Sequence, residues 1–486
     1  MTAAYLNRIR PLVMILAVFV LLSCSDDSPT SSNNGGEPGE NGNDNSEVTG
    51  DVTVYLTSGN RLALNDRQNP IAFSDDSASI VIEVDADQRM QSITGFGAAM
   101  TGSSAYLLKK MDNEDRRELL TELFDPEEGI GISNIRLTIG SSDFSLGTYS
   151  YCDEPGLENF RIPEVDLRDV IPVMQEVLEI NPDLWIMASP WSAPGWMKNN
   201  NSMRGGRLEE QHFENFSRYL KMFIQAYEDK GIPIHAITVQ NEPLHETSGY
   251  PTMYMPWQDQ SKLIRDYLGP LFEKENIQTD IIIYDHNWDN FQYPINILDD
   301  EDTRQYVKGS AFHGYGGDVG QMSHVAEAHP DKHLYFTEIS GGGWATDFWE
   351  NITWNMDHIF LGSVRNYSRN AIFWNLALDE QDGPQNGGCP NCRGVVTIPE
   401  NEEFLSRNEE YYILAHMARH VRPGDYRIQS TAPQQDLNYL AFINEEGEHK
   451  LVIINRSQQA QTFQVRSNSG KFRYSLAGRT LGTFLW

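Results

Sequence analysis

Cysteine is scarce in this chain, with four residues in 486. That excludes a small scaffold held together by disulfides. It also leaves no structural zinc site, because no second closely spaced Cys/His pair accompanies Cys389 and Cys392. Basic residues are few as well: 37 against 69 acidic ones, a net charge of −32. A field of that sign repels nucleic acid and anionic lipid surfaces. No nucleic-acid partner is expected, and the substrate should be neutral or cationic. Long apolar runs are missing too. The longest, at residues 12–22, is too short for a comfortable membrane span.

That run has the form of an export signal, with Arg8 and Arg10 ahead of it and Leu21-Leu22-Ser23-Cys24 behind it. A small residue directly before a cysteine resembles a bacterial lipobox, which implies cleavage before Cys24 and a lipid on its thiol. Residues 1–23 are then a lipoprotein signal peptide. The mature chain would be anchored to the outer membrane by lipid alone, on its periplasmic or its cell-surface face. Residues 24–50 are Ser, Asn, Gly, Asp and Glu with almost nothing apolar. They cannot bury a core and read as a disordered tether. In such an oxidising compartment, Cys389-Pro390-Asn391-Cys392 reads as a local disulfide, since a redox role would want a thioredoxin-like context. Cys152 is left as a free thiol.

What is present is a large core and many rings: 40% hydrophobic and 11% aromatic residues. Aromatic faces suit the apolar faces of pyranose sugars. Short alternating runs at 52–56 and 80–84 read as β-strands, as do runs at 439–443, 450–454 and 461–465. Between them, apolar runs at 92–97, 134–139, 184–189, 235–240, 280–284, 310–313, 334–337 and 371–376 alternate with helical patterns such as 114–123, 170–178 and 213–228. Eight such strands predict a (β/α)8 TIM barrel over 91–420. The flanking strands, 51–90 and 421–486, are expected to meet in one β-sandwich side domain formed by both chain ends.

Two of the strands carry the chemistry. Ala236-Ile237-Thr238-Val239-Gln240-Asn241-Glu242-Pro243 and Leu334-Tyr335-Phe336-Thr337-Glu338-Ile339-Ser340 each deliver one glutamate to a strand's C-terminal end, the end that faces the active site of such a barrel. Cleaving a glycosidic bond needs a proton for the leaving oxygen and support for an oxocarbenium-like centre. Two facing carboxyl groups supply both, at about 5–5.5 Å when one acts as nucleophile. No metal or organic cofactor is implied, since two carboxylates suffice. The Asn241 amide is placed to hydrogen-bond a sugar 2-hydroxyl.

The loops add to the pattern. Gly140-Ser141-Ser142-Asp143-Phe144-Ser145, the run from Ala188 through Trp191 and Trp196 to Lys198, His313-Gly314-Tyr315 and Phe373-Trp374-Asn375 all follow or span strands. Together they resemble glycoside hydrolase family 30, which includes the lysosomal glucosylceramidases and microbial β-1,6-glucanases. The resemblance runs from about Gly95 to Trp486. It implies Glu242 as general acid/base and Glu338 as nucleophile. It implies Asp143, Trp191, Asn241 and Trp374 around the sugar before the scissile bond, with His313 and Tyr315 beside the nucleophile. The loop Ile339-Ser340-Gly341-Gly342-Gly343-Trp344 departs from the glucosylceramidase pattern. By resemblance, the Cys389–Cys392 pair braces a loop near the non-reducing end of the cleft.

The expected activity is retaining hydrolysis of β-glucosidic bonds in a neutral glucan, most readily β-1,6-glucan or β-1,6 branches. A β-glucosidase, glucosylceramidase, β-xylosidase or fucosidase would use the same scaffold. A carbohydrate-binding lipoprotein that has lost catalysis is the reading from a different class. Retention of both glutamates argues against it.

Overall fold

The computed structural model describes residues 50–399 and 405–486. The export signal, Cys24 and the tether up to residue 49 lie outside the described residues.

Eight strands form the central sheet: β1 (Gly95–Met100), β2 (Asn134–Ile139), β3 (Trp185–Pro190), β4 (Ala236–Thr238), β5 (Asp280–Asn287), β6 (Val307–His313), β7 (His333–Glu338) and β8 (Asn370–Phe373). Each pairs in parallel with its neighbours, in the order β7-β6-β5-β4-β3-β2-β1-β8. The sheet closes between β7 and β8. A bridge joins Leu334 to Ser368, and Arg369 N donates to Leu334 O at 2.9 Å. One step on, the Asn370 side chain accepts from Phe336 N at 2.8 Å, in place of a ladder bond. The result is the expected TIM barrel.

The barrel is filled from alternate residues. Met187, Ala236, Ile282, Ala311, Tyr335 and Ile372, one from each of β3 to β8, form one inner cluster, as layered side chains do in this architecture. Outside, helix Phe213–Glu228 buries Phe216, Leu220, Phe223 and Tyr227. Their spacing of three and four residues puts them on one face, and the observed span coincides with the expected one.

The two chain ends do meet. Thr53–Ser58 pairs antiparallel with Thr480–Leu485, and Ile80–Ser92 pairs parallel with Gln461–Arg466 and antiparallel with Tyr426–Ser430. Val54, Ile82, Tyr439, Phe463 and Phe484 share their core. His416 docks this domain on helix Glu409–Met417, with ring nitrogens 2.9 Å from Thr57 Oγ1 and 2.8 Å from Thr483 Oγ1. Burial pushes its pKa down to about 3, so the ring is neutral.

Several strand boundaries differ from expectation: the fourth strand is shorter, at Ala236–Thr238, the sixth begins earlier, at Val307, and the eighth ends at Phe373. The first barrel strand begins at Gly95 rather than at 92, because the sandwich strand Ile80–Ser92 runs on for 13 residues and claims that position. The fifth runs past Tyr284 to Asn287 through a register shift against β6. That shift matters for the site.

Candidate active site

Arg136 organises the open end of the barrel. It sits on β2, fully buried. A guanidinium there is stable only if its donors are met. One terminal nitrogen donates to Glu338 Oε2. The other donates to Asn241 Oδ1 at 2.6 Å and to Asp285 Oδ2 at 2.9 Å. The planar fork thus ties the ends of β4, β5 and β7 together, which a point charge could not do.

Asp285 is the counterweight. It is entirely buried and also accepts from Thr238 Oγ1 at 2.6 Å, Thr337 Oγ1 at 2.7 Å and Ser189 Oγ at 3.0 Å. Burial alone would raise its pKa, but Arg136 and His313 hold it well below the usual carboxylate range. Tyr284 and Asp285 have φ of 72° and 66°, at the register shift that ends β5. A bulge re-aims side chains in this way. It turns Asp285 inward and brings His286 to the cleft.

His313, at the end of β6, joins the two glutamates. Its Nε2 lies 3.0 Å from Asp285 Oδ1, and its Nδ1 lies 3.2 Å from Glu242 Oε1 and 4.0 Å from Glu338 Oε1. Those glutamate oxygens are therefore at most about 7 Å apart, a ceiling that admits the short separation of a retaining pair. Burial disfavours charge on the ring, but Glu338, Asp285 and Glu242 together push its pKa up to about 9. It is an imidazolium at neutral pH.

Glu242 follows β4 with φ of 45°, and its N–H donates to Asp285 O at 2.9 Å. A left-handed glutamate costs about 1–3 kcal/mol and persists only where its surroundings over-determine it. Burial raises its pKa, and the neighbouring His286 ring, 3.6 Å away, and the His313 hydrogen bond outweigh that and bring it down. Glu338 behaves oppositely. Burial and the Glu242 charge push it up, against His313 and Arg136. Tyr315 donates its hydroxyl to Glu338 Oε1 at 3.1 Å, while its ring stays exposed.

Trp191 and Trp374 stack at 4.9 Å between ring centroids, and both faces also meet Arg136, at 4.9 and 5.5 Å. Each ring is 2% exposed, so they form the floor of the cleft more than its walls. Asp143 has Trp374 as a hydrogen-bond partner, and its Oδ1 has no donor. Burial, then the charges of Glu338 and Glu242, lift its pKa well above the normal value. A buried, unsatisfied carboxyl oxygen in an open cleft is a ready partner for a ligand hydroxyl. Asn241 points its oxygen at Arg136, so its NH2 end is the one left to meet a substrate.

All eight expected site residues thus gather at one end of the barrel. Cys389 and Cys392 are bonded, and Cys152 is a buried free thiol. Sequence reasoning passed over Arg136, Asp285 and His286. A lone arginine inside the run Asn134–Ile139 was a signal, since a charge within a buried strand must be paired. Ligand atoms of Glu242, His286 and His313 lie within 4.8 Å of one another, a spacing that a divalent cation can bridge.

Comparison with known proteins agrees with this geometry. Residues 93–421 match the Glycosyl hydrolase family 30 TIM-barrel domain, and residues 424–484 match the Glycosyl hydrolase family 30 beta sandwich domain. An endo-1,6-beta-D-glucanase of Aspergillus fumigatus is 31% identical over 79% of this chain and 82% of its own length. The lysosomal acid glucosylceramidase of Mus musculus is 26% identical over 84% and 83%. A solved endo-β1,6-glucanase superposes with a TM-score of 0.85 at 34% identity, covering 90% of this chain and all of that one. With both domains matched and the barrel end built around Glu242 after β4 and Glu338 at the end of β7, the chain belongs to glycoside hydrolase family 30.

Proposed function

We propose that this glycosidase cleaves β-1,6-glucosidic bonds in a neutral glucan, with retention, using Glu338 as nucleophile and Glu242 as acid/base. The observation that carries the reading is the convergence of Glu242 and Glu338 on one histidine at the ends of β4 and β7.

A Glu338 oxygen attacks the anomeric carbon as the bond from that carbon to the leaving oxygen breaks. The leaving oxygen takes a proton from the Glu242 side. The covalent glucosyl-enzyme is then opened by water, whose proton returns to Glu242, and both carboxyl groups are restored. Glu242 and His313 hold one proton between them, because an ionised glutamate beside an imidazolium is the tautomer of a glutamic acid beside a neutral ring. That shared proton is available to the leaving group even though Glu242 itself is held low. The Arg136 guanidinium and the Tyr315 hydroxyl orient Glu338 and offset its charge. Asp143 and the Asn241 amide offer polar contacts to the sugar hydroxyls over the Trp191–Trp374 floor.

The linkage rests on the endo-1,6-glucanases among the relatives and on chemistry. A net charge of −32 does not obstruct a neutral polymer. The test is incubation with β-1,6-, β-1,3- and β-1,4-glucans, xylan and aryl β-glycosides, with product sizes read out. Glucose or short gluco-oligosaccharides should appear from β-1,6-glucan. Faster loss of xylan or a cellulose derivative would overturn the linkage and leave the mechanism standing.

Attachment to the bacterial envelope through a lipid on Cys24 remains part of the proposal, supported by the Leu21-Leu22-Ser23-Cys24 run alone. Cys24→Ser should move the protein from the membrane fraction to the soluble one.

A further inference from the structure

A second pocket opens beside Glu338. It holds about 640 Å³, in the range of ligand sites. Tyr315 and Ser340 form its inner edge, and the Tyr315 hydroxyl reaches both Glu338 Oε1 and Ser340 Oγ, at 3.1 and 3.5 Å. The pocket is therefore continuous with the cleft. Its outer walls are Trp344, Trp354 and the Cys389–Cys392 disulfide.

Both tryptophans are unusually open, at 57% and 42% exposed. Neither is loose. The chain after Glu338 pairs antiparallel with the disulfide segment, Gly342 opposite Cys392 and Gly341 opposite Arg393, and Gly343 N donates to Asn391 O at 2.8 Å. The Trp344 ring lies against the backbone of Gly342, where a Cβ would come within 2.1 Å of its Cζ3. Only glycine leaves room for the ring there. Trp354 is stacked on His358 at 5.0 Å. Polar groups line the pocket with the rings: Asn351, and Asn355, whose buried Oδ1 has no donor. Flat exposed rings held in place, with amides in the same lining, suit a ligand that is apolar on one face and hydroxylated at its edge.

We infer that this pocket is a subsite for a further glucosyl unit of the chain, next to the one being cleaved, with Trp344 and Trp354 as its stacking platforms. The inference rests on the glucanase reading above. It makes the enzyme sensitive to chain length.

The test compares wild type, Trp344→Ala, Trp354→Ala and Gly342→Ala on an aryl β-glucoside, on β-1,6-linked gluco-oligosaccharides of two to five units and on glucosylceramide in detergent micelles. Wild-type kcat/KM should rise with length beyond the disaccharide. Each variant should lose about fivefold to tenfold on the longer substrates, the size of one aromatic contact, and keep its rate on the aryl glucoside. Trp344→Phe should restore most of the loss, and Gly342→Ala should mimic Trp344→Ala by displacing the ring. Equal losses on all substrates, or none on the longer ones, would overturn the subsite. So would losses confined to a glucosylceramide presented in micelles, which would mean a lipid-tail pocket. If wild type ignores every β-1,6-linked substrate but hydrolyses the aryl glucoside, the linkage reading fails instead.

Discussion

His313 Nε2 lies 3.0 Å from Asp285 Oδ1, and this bond decides what the ring presents to the glutamates. Asp285 is ionised and buried, so it favours a proton on Nε2. With Glu242 on the other nitrogen, the ring keeps both protons. The charge balance of the site, with Asp285, Glu242 and Glu338 against Arg136 and His313, turns on that imidazolium.

Stability should therefore depend on alkaline pH. The folded ring holds its proton to about 9, against 6.5 in the unfolded chain. A raised pKa contributes stability that is complete below 6.5 and is lost as pH rises through about 9. The loss should amount to roughly 3 kcal/mol, and kcat/KM should fall over the same upper range as the shared proton leaves. Urea unfolding at pH 6 and pH 9.5, for wild type and His313→Gln, checks the sign. The variant should be less stable at pH 6 and show a flatter profile.

Glu338→Gln should cut turnover by several orders of magnitude with little change in Tm. A mechanism-based fluoro-sugar should label Glu338 in the wild type. Peptide mapping decides, and a label on another carboxylate would remove Glu338 as the nucleophile.

Glu242→Ala should harm substrates with poor leaving groups far more than activated aryl glycosides, which need little protonation. Azide should partly rescue the activated substrate and give a β-glycosyl azide. Equal damage to both substrate types without rescue would assign Glu242 another role.

Arg136→Met should be costly to the fold itself. Removing one partner of a buried ionic cluster costs about 3–5 kcal/mol, because the charges left behind are unpaired. Here they are Asp285 and Glu338. Arg136→Lys should recover only part of that, since an ammonium cannot serve Glu338, Asn241 and Asp285 in the same planar fork. Calorimetric Tm values rank the three proteins.

Much of this was legible in the sequence, for physical reasons. Buried parallel strands are near-continuous apolar runs, so β2 and β7 stood out, and Glu338 was placed because it closes such a run. Helix Phe213–Glu228 declared itself by its period. The misses share one cause. Arg136 reads as an interruption of a strand until its acceptors are brought in from β3, β4, β5 and β7. Asp285 and His286 lie past the point where apolar character stops, on a bulge with positive φ that no local pattern encodes. Local periodicity reports which face is buried. It does not report which distant charges meet there.

The disulfide offers the last test, because it sits on the substrate side of the nucleophile's loop. Cys392 pairs with Gly342, four residues after Glu338, through a ladder only two residues long. Cys389 and Cys392 also pack against the cluster that holds Trp191 and Trp374. Cutting the S–S bond removes none of the hydrogen bonds that Arg136 and Asp285 make to Glu338, Asn241, Ser189, Thr238, Thr337 and His313. Reduction, or Cys389→Ser with Cys392→Ser, should therefore loosen the pocket wall and leave the reacting groups in place. KM for β-1,6-glucan should rise several-fold while kcat changes by less than about twofold, the signature of lost uniform binding. If kcat falls as much as KM rises, the loop helps to hold Glu338 in its attacking position, and the pair belongs to the catalytic apparatus rather than to the binding wall.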